Sequence, residues 1–347
     1  MTARSSVTMP IPQGPRNTQL PQRQLLRELQ TTAEENLRRH RKALDDWHPH
    51  DYLPLNGGTP PPRMMYPERR ELDDVAEAAM IITLLTADNL PSGLQQMTDS
   101  VAKDSAWATW VRMWTAENDR HYVVLRDYLV KLRGVDPVAL ERARMENMTV
   151  GISCALEGAS LLHSLASVTL QELATRVAHQ NIGPVCGDPL AGRILTRIGD
   201  EKDLHTIFYR NLCAAALELT PDQAVRAVGD VVLNFQMPGV TRPGFRHTAT
   251  RMAQYGIYDI RQHLDQVLRP TLEEWKLFER NDFGKEGEQV RECIGRHLED
   301  LEMQARRFEQ SRDRTCSPTP NSRAEEPGGQ RSRWATSSFR ATSAACI

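Results

Sequence analysis

The chain of 347 residues lacks several features that would place it at once in a familiar class. It has six cysteines and no CxxC pair, so neither a zinc ribbon nor a disulfide framework is supported, and reduced thiols are expected. No run approaches the roughly eighteen apolar residues of a membrane span, and the polar N-terminus lacks the apolar region of a signal peptide. We therefore expect a soluble, cytoplasmic protein.

Charge and strand patterns are also missing. The formal net charge is −2, which gives no basic field along the sequence and does not favour nucleic acid as a partner. Strand-like alternation is absent, while apolar residues recur with helical spacing through most of the chain. With 40% apolar and 25% charged residues, the composition is that of an ordinary globular protein. The pattern predicts an all-α fold.

Three regions follow from composition. Residues 1–19 are polar and contain several prolines, which predicts a disordered leader. Residues 311–347 are rich in Ser, Thr, Arg, Pro and Gly and predict a disordered tail. Residues 20–310 form one helical domain, with chain breaks expected at Met237-Pro238-Gly239 and near Pro270.

The first amphipathic helix ends in a basic run, RRHRK, at residues 38–42. Cations complement the negative end of a helix dipole, so a solvated helix end is the favoured interpretation. The alternative is that this run contacts an acidic partner.

Two segments carry the chemistry, WTAENDRHY (114–122) and GDEKDLHTIFY (199–209). Each places acidic residues and a histidine within about one turn of a long helix. Helix bundles that hold two iron ions use such pairs, because Glu and His at i and i+3 converge on one ion.

Four segments together carry a resemblance to a known family: TADNLP (86–91), WTAENDRH (114–121), LQELATRVAH (170–179) and EKDLHTIFYR (201–210). In order and spacing they resemble the ligand-bearing helices of the soluble acyl-carrier-protein desaturases (fatty acid desaturase type 2), most closely the actinobacterial branch. The resemblance implies a ferritin-like di-iron-type helix bundle with additional helices. It also implies a homodimer that binds acyl carrier protein and, if active, ferredoxin.

The family's residues carry over one by one, and several positions hold a different residue here. Glu172, His121 and His205 are retained ligands by resemblance. Thr175 stands at the position that lines the oxygen side of the site. The vacated ligand positions are occupied by Ala87, Asn118 and Lys202.

The flanking acids correspond to residues that the family keeps beside its ligands, and by resemblance they form a second shell: Asp88, Glu117 and Glu201. Trp114 lies in the region where electrons enter the family's site, although core packing is the favoured role. His121 and His205 are expected to bond Glu201 or Glu117 across the bundle. We further expect Lys202 to form an ion pair with Glu172.

Charge balance decides what these substitutions imply. Two ferrous ions bring four positive charges, which four carboxylates would neutralise, whereas Glu172 and Lys202 together contribute none. Three outcomes stay open: no functional metal, one weakly held ion, or a di-iron site rebuilt from the flanking acids. The charge argument favours no metal or partial occupancy.

Two functions follow. The favoured one is a diverged family member with impaired or absent desaturation that still binds acyl carrier protein and its acyl chain, or pairs with an active paralogue. The alternative is an active desaturase, dependent on ferredoxin and dioxygen, that introduces a double bond into a carrier-bound acyl chain.

Overall fold

The computed structural model describes residues 19–53, 74–85, 102, 104–150, 160–236 and 245–316. Within these ranges every regular element is helical and no strand occurs, which confirms the predicted all-α class. In chain order the helices are α1 (Gln22–Glu28), α2 (Gln30–Ala43), α3 (74–85), α4 (Ala106–Lys131), α5 (Pro137–Val150), α6 (Leu161–Cys186), α7 (Pro189–Leu219), α8 (Pro221–Leu233), α9 (Phe245–Gln254), α10 (Ile260–Gln262), α11 (Arg269–Glu274) and α12 (Lys285–Cys316). A 3-10 turn (Pro49–Asp51) follows α2, and a π-helical segment (His263–Leu268) joins α10 to α11.

Local capping sets the ends of the long helices. Ser105 precedes α4, and its hydroxyl accepts a hydrogen bond from the backbone N–H of Ala108. Gly187 ends α6 in the left-handed region (φ 66°), which glycine adopts without steric cost. Asp188 then caps α7, and Pro189 occupies its first turn. The chain therefore passes from α6 to α7 through only two residues.

Helix α7 is the centre of the bundle. It packs along α6 and also contacts α2, α4 and α8, while α12 packs on the far side of α8. Helix α6 is buried on nearly every side, including at several polar positions. Because α2, α4, α6 and α7 share this contact region, polar side chains on their facing surfaces meet in the interior rather than in solvent.

An apolar segment of the sequence, residues 76–91, begins within helix α3. In the part that the structure describes, 74–85, the side chains of Ala76, Met80 and Leu84 are buried. The remainder of that segment, through Pro91, lies outside the described residues. None of the described helices combines the length and the apolar character that a bilayer crossing requires.

The prediction of a break near Pro270 is wrong. The helical path continues from Ile260 to Glu274, and a π-helical segment precedes the proline. A proline lacks the N–H that would bond the preceding turn and crowds its carbonyl. Widening that turn removes the conflict, and one residue later the Thr271 hydroxyl donates to the Val267 carbonyl at 2.6 Å. The predicted break at Met237-Pro238-Gly239 falls mostly outside the described residues.

The C-terminal boundary also differs. Helix α12 continues past Gln310, the predicted end of the domain, to Cys316. Among the described thiols, those of Cys186, Cys213 and Cys293 are buried and form no disulfide with one another.

The packing of α8 on α12 depends on a glycine. A Cβ added to Gly229 would lie 2.4 Å from Val290 Cγ1, and the branched valine has little rotamer freedom to withdraw. We expect Gly229→Ala to lower the free energy of unfolding by about 1–3 kcal/mol through overpacking. The matched change Gly192→Ala, where nothing lies within 4 Å of the added atom, should be neutral or stabilise by up to about 1 kcal/mol. Urea unfolding measures both, and equal effects would contradict the packing argument.

Candidate functional site

Facing surfaces of α4, α6 and α7 bring almost all of the predicted site residues together in the interior. Each of these side chains is less than about one-tenth exposed. The set comprises Trp114, Glu117, Asn118, His121, Glu172, Thr175, Glu201, Lys202 and His205. Ala87 and Asp88 lie outside the described residues. Burial of three carboxylates and an ammonium group is costly unless they pair, so their partners determine what the site can do.

The expected ion pair is present. Lys202 Nζ lies 2.9 Å from Glu172 Oε2, and the two side chains are 1% and 0% exposed. The ammonium also donates to Asn118 Oδ1 at 2.9 Å. On the other side, Trp114 Nε1 donates to Glu172 Oε1 at 3.0 Å. Two vacated ligand positions and one retained ligand are therefore bonded to one another.

Trp114 consequently has a polar role as well as a packing role. Its ring is fully buried, and its N–H fixes the rotamer of Glu172. Asn118 Nδ2 in turn donates to the Trp114 carbonyl at 2.8 Å. The Thr175 hydroxyl donates to the Gln171 carbonyl of its own helix at 2.8 Å.

A second group forms around Glu117. His205 Nε2 lies 2.7 Å from Glu117 Oε2, and His40 Nε2 lies 3.0 and 3.1 Å from the two oxygens of the same carboxylate. The contact between Glu117 and His205 therefore joins α4 to α7, as expected for histidines bonded across the bundle.

A third group forms around Glu201. His121 Nε2 lies 2.7 Å from Glu201 Oε2. Trp47 Nε1 and Arg120 Nη2 each donate to Glu201 Oε1 at 2.6 Å. The guanidinium of Arg120 also lies 4.7 Å from the centre of the Trp47 ring, and that of Arg197 lies 5.7 Å from it. Glu201 thus has both oxygens engaged by residues from two other parts of the chain, Trp47 and helix α4.

These contacts keep the three acids ionised. Burial by itself raises the pKa of Glu172, but the charge of Lys202 and a hydrogen bond from His205 outweigh it and lower the pKa to about 2. The pKa of Glu117 is also lowered to about 2, because bonds from His205 and His40 overcome its burial. The pKa of Glu201 is likewise lowered to about 2, because the hydrogen bond from His121 and its charge outweigh the effect of burial.

The buried histidines divide into two kinds. Burial lowers the pKa of His121 to about 4, although Glu201 opposes the shift. Burial, followed by the charge of Lys202, lowers the pKa of His179 to about 3. For His205 burial also acts downward, but the bonds to Glu117 and Glu172 outweigh it, and the pKa is raised. His179 has no hydrogen-bond partner among the described residues.

His40 was missed by the sequence reasoning. The interpretation of residues 38–42 as a solvated helix end is right for the four cations, which are exposed, and wrong for His40, which is 3% exposed. Ala33, Leu37 and His40 follow the i, i+4, i+7 spacing of a buried stripe. That spacing was the available signal, and the surrounding arginines obscured it.

Two iron ions do not fit the residues present. The Lys202 ammonium, at a ligand position that the resemblance marks as vacated, is paired with Glu172. Of the three flanking acids, Glu117 and Glu201 are held by histidines and, for Glu201, by Arg120, while Asp88 lies outside the described residues. Among the described residues a dinuclear cluster would face a buried cation with too few free carboxylates.

Comparisons with known proteins agree with this architecture. A family model described as fatty acid desaturase matches residues 21–324. DesA1 of Mycobacterium tuberculosis, which carries the name of an acyl-(acyl-carrier-protein) desaturase, is 41% identical over 305 residues, covering 84% of this chain and 89% of DesA1. The chloroplastic stearoyl-(acyl-carrier-protein) 9-desaturase of Ricinus communis is 25% identical over 295 residues, covering 79% and 74%.

The X-ray structure of DesA2 from Mycobacterium tuberculosis H37Rv aligns with a TM-score of 0.57 at 24% identity, covering 74% of this chain and 97% of DesA2. The fold is therefore of the ferritin-like helical class. With the family match over most of its length, the chain belongs to the acyl-carrier-protein desaturases of the fatty acid desaturase family.

The buried ion pair yields a stability prediction. Lys202→Met leaves Glu172 as an unpaired buried charge, which should lower the free energy of unfolding by about 3–5 kcal/mol. The double variant Lys202→Met/Glu172→Gln removes both charges and should cost clearly less than Lys202→Met alone. Urea unfolding at pH 7 checks both.

A surface pair serves as the matched control. Lys131 Nζ lies 2.7 Å from Asp127 on the exposed side of α4, so Lys131→Met should cost less than about 1 kcal/mol. If Lys202→Met is as mild as Lys131→Met, the buried ion pair is not formed.

His179 yields a prediction for pH dependence. Its folded pKa of about 3 lies below the ordinary 6.5, so the unfolded chain binds the extra proton and stability falls as the pH drops from about 6.5. His179→Leu removes this loss. The unfolding free energy of the variant relative to wild type should therefore be about 2 kcal/mol more favourable at pH 5 than at pH 7. Urea unfolding at the two pH values measures it. If the unfolding free energies of His179→Leu and wild type differ by the same amount at both pH values, His179 is not buried in its neutral form.

Proposed function

We propose that the chain is a diverged acyl-carrier-protein desaturase homologue in fatty-acid metabolism. In this proposal it does not carry out di-iron desaturation and retains binding of acyl carrier protein and its acyl chain. The observation that carries the proposal is the 2.9 Å ion pair between Lys202 and Glu172, in the interior where the family's ligands would converge. Dioxygen activation in such bundles depends on both metals, and this pair occupies the retained carboxylate.

Electrostatics supports the loss of the cluster more strongly than the individual substitutions do. Glu172 already neutralises the charge of Lys202, and Asn118 accepts a hydrogen bond from it. These residues therefore satisfy one another and do not form a set of unoccupied metal ligands. Recruiting Glu172 for a metal would strand the ammonium in the interior, where an unpaired charge costs several kcal/mol.

The runner-up is an active enzyme with a rebuilt site, fed by ferredoxin. It would draw its ligands from the flanking acids Asp88, Glu117 and Glu201. Glu117 and Glu201 would each first have to give up two or more close contacts, including one to a histidine of the opposite helix. No contact among the described residues favours that rearrangement.

The proposed partners follow from the relatives. Several are named for action on acyl groups attached to acyl carrier protein, including stearoyl and palmitoyl groups. We extend to this chain the binding of a carrier-linked acyl group in the cytoplasm, and the formation of a homodimer or a pair with an active paralogue.

Iron content tests the proposal directly. Purified from iron-replete cells, the wild-type chain should contain close to no iron and show no near-ultraviolet band of an oxo-bridged iron pair. The triple variant Ala87→Glu/Asn118→Glu/Lys202→Glu restores the family's carboxylates and should take up about two iron ions per chain. Metal analysis and absorption spectra measure both proteins. About two irons in the wild type would overturn the proposal.

Acyl binding is tested separately on the wild-type chain. Stearoyl-acyl carrier protein should bind at least about tenfold more tightly than the same carrier protein without an acyl group, because each buried methylene contributes about 0.8 kcal/mol. Fluorescence anisotropy of a labelled carrier protein gives both affinities. Equal affinities would remove the proposed acyl binding while leaving the loss of iron intact.

A further inference from the structure

Three donor atoms from three helices converge on one point beside the ion pair. They are the Nε2 atoms of His40 on α2 and His205 on α7, and a carboxylate oxygen of Glu117 on α4. All three lie within 4.8 Å of one another, and the side chains are 5% exposed or less. No other group of three such residues this close is found in the part of the chain that the structure describes.

The spacing suits a metal ion. Donors bound to one tetrahedral ion at about 2.0–2.1 Å lie about 3.4 Å apart. Here Glu117 Oε2 is 2.7 Å from His205 Nε2 and 3.1 Å from His40 Nε2. Small outward rotations of the rings would therefore admit an ion, without moving the helices.

Neighbouring groups already hold the two rings in position. The Trp110 indole packs edge-on against both, with ring centres 4.9 Å from His40 and 6.0 Å from His205. His205 Nδ1 lies 3.5 Å from Glu172 Oε2, on the side of the ring away from Glu117. A carboxylate behind a histidine is the usual support of a metal ligand, and here it lies close to the far nitrogen without forming a hydrogen bond to it.

The charges of the surrounding side chains can balance one divalent ion but not two. The Lys202 charge is cancelled by Glu172 at 2.9 Å, so this pair makes no net contribution. Glu117 supplies one negative charge, which leaves a single divalent ion with one excess positive charge. Catalytic and transport sites built from two histidines and one carboxylate accept that balance.

We propose that His40, Glu117 and His205 bind one divalent transition-metal ion of the zinc or cobalt(II) type. Two of the three donors, His40 and Glu117, stand outside the ligand positions that the desaturase resemblance assigns. The site deepens the proposed function, since it defines the metal chemistry that remains once a dinuclear cluster is excluded.

The experiment uses the full chain, stripped with a chelator and titrated with cobalt(II) at neutral pH. We expect one ion per chain, with visible ligand-field absorption. His40→Gln and Glu117→Gln should each weaken binding by more than about 100-fold, because changes even to the supporting groups of metal ligands cost 10–100-fold. His121→Gln changes a histidine that is bonded to Glu201 instead, and should leave the affinity within about threefold.

Folding is checked separately from binding. Circular dichroism compares each variant with the wild type. His40→Cys keeps a donor at this position and should retain cobalt binding with a new thiolate-to-metal band in the near ultraviolet. Because the chain already has six cysteines, the wild type is the control, and a band that appears only in folded His40→Cys reports a donor at residue 40.

The outcomes separate the two proposals. No cobalt or zinc binding, or binding that His40→Gln leaves unchanged, overturns this site without touching the proposed function. Binding that depends on His121 instead of His40 does the same. Two metal ions per wild-type chain would overturn the proposed function.

Discussion

The buried contact between Lys202 and Glu172 determines the character of the whole interior. An ammonium group in a dry helix bundle must have an anion beside it, and Glu172 is that anion. Asn118 and Trp114 complete the hydrogen bonding of the two charges, so the substituted positions form a self-consistent set. The charge that metal ions would supply in a di-iron bundle is supplied here by a side chain.

The remaining acids arrange themselves around this pair. Because Lys202 engages Glu172, the two histidines that would share its metal are free to bond Glu117 and Glu201 across the bundle. The family fold is thus preserved by a different electrostatic arrangement. Family membership, shown by the match over residues 21–324, does not by itself carry the family's chemistry to this chain.

Much of this could be predicted from the sequence, because it depends on local rules. Asp188-Pro189 marks the start of α7, and Ser105 lies one residue before α4. The spacing of Glu172 and Lys202 relative to the retained histidines was enough to predict their pairing. A chain break was wrongly predicted near Pro270, because a π-helical segment, which has no clear sequence signal, accommodates the proline within a continuous helix.

Long-range contacts could not be predicted in this way. Trp47 meets Glu201 across 154 residues of chain, and no periodicity links them. The helical spacing of His40 places it on the buried face of α2, but its partner Glu117 lies on another helix 77 residues away. Such contacts depend on how the helices cross, and an isolated sequence does not specify those angles.

The same two contacts give the N-terminal region an unexpected importance. Helix α2 and the turn after it contribute His40 and Trp47, which close two of the three buried carboxylates from outside the three helices that carry the acids. Removal of residues 22–47 would therefore take away the contacts that cover Glu117 and Glu201. This described part of the N-terminal region closes the buried site and is not an appendage to the bundle.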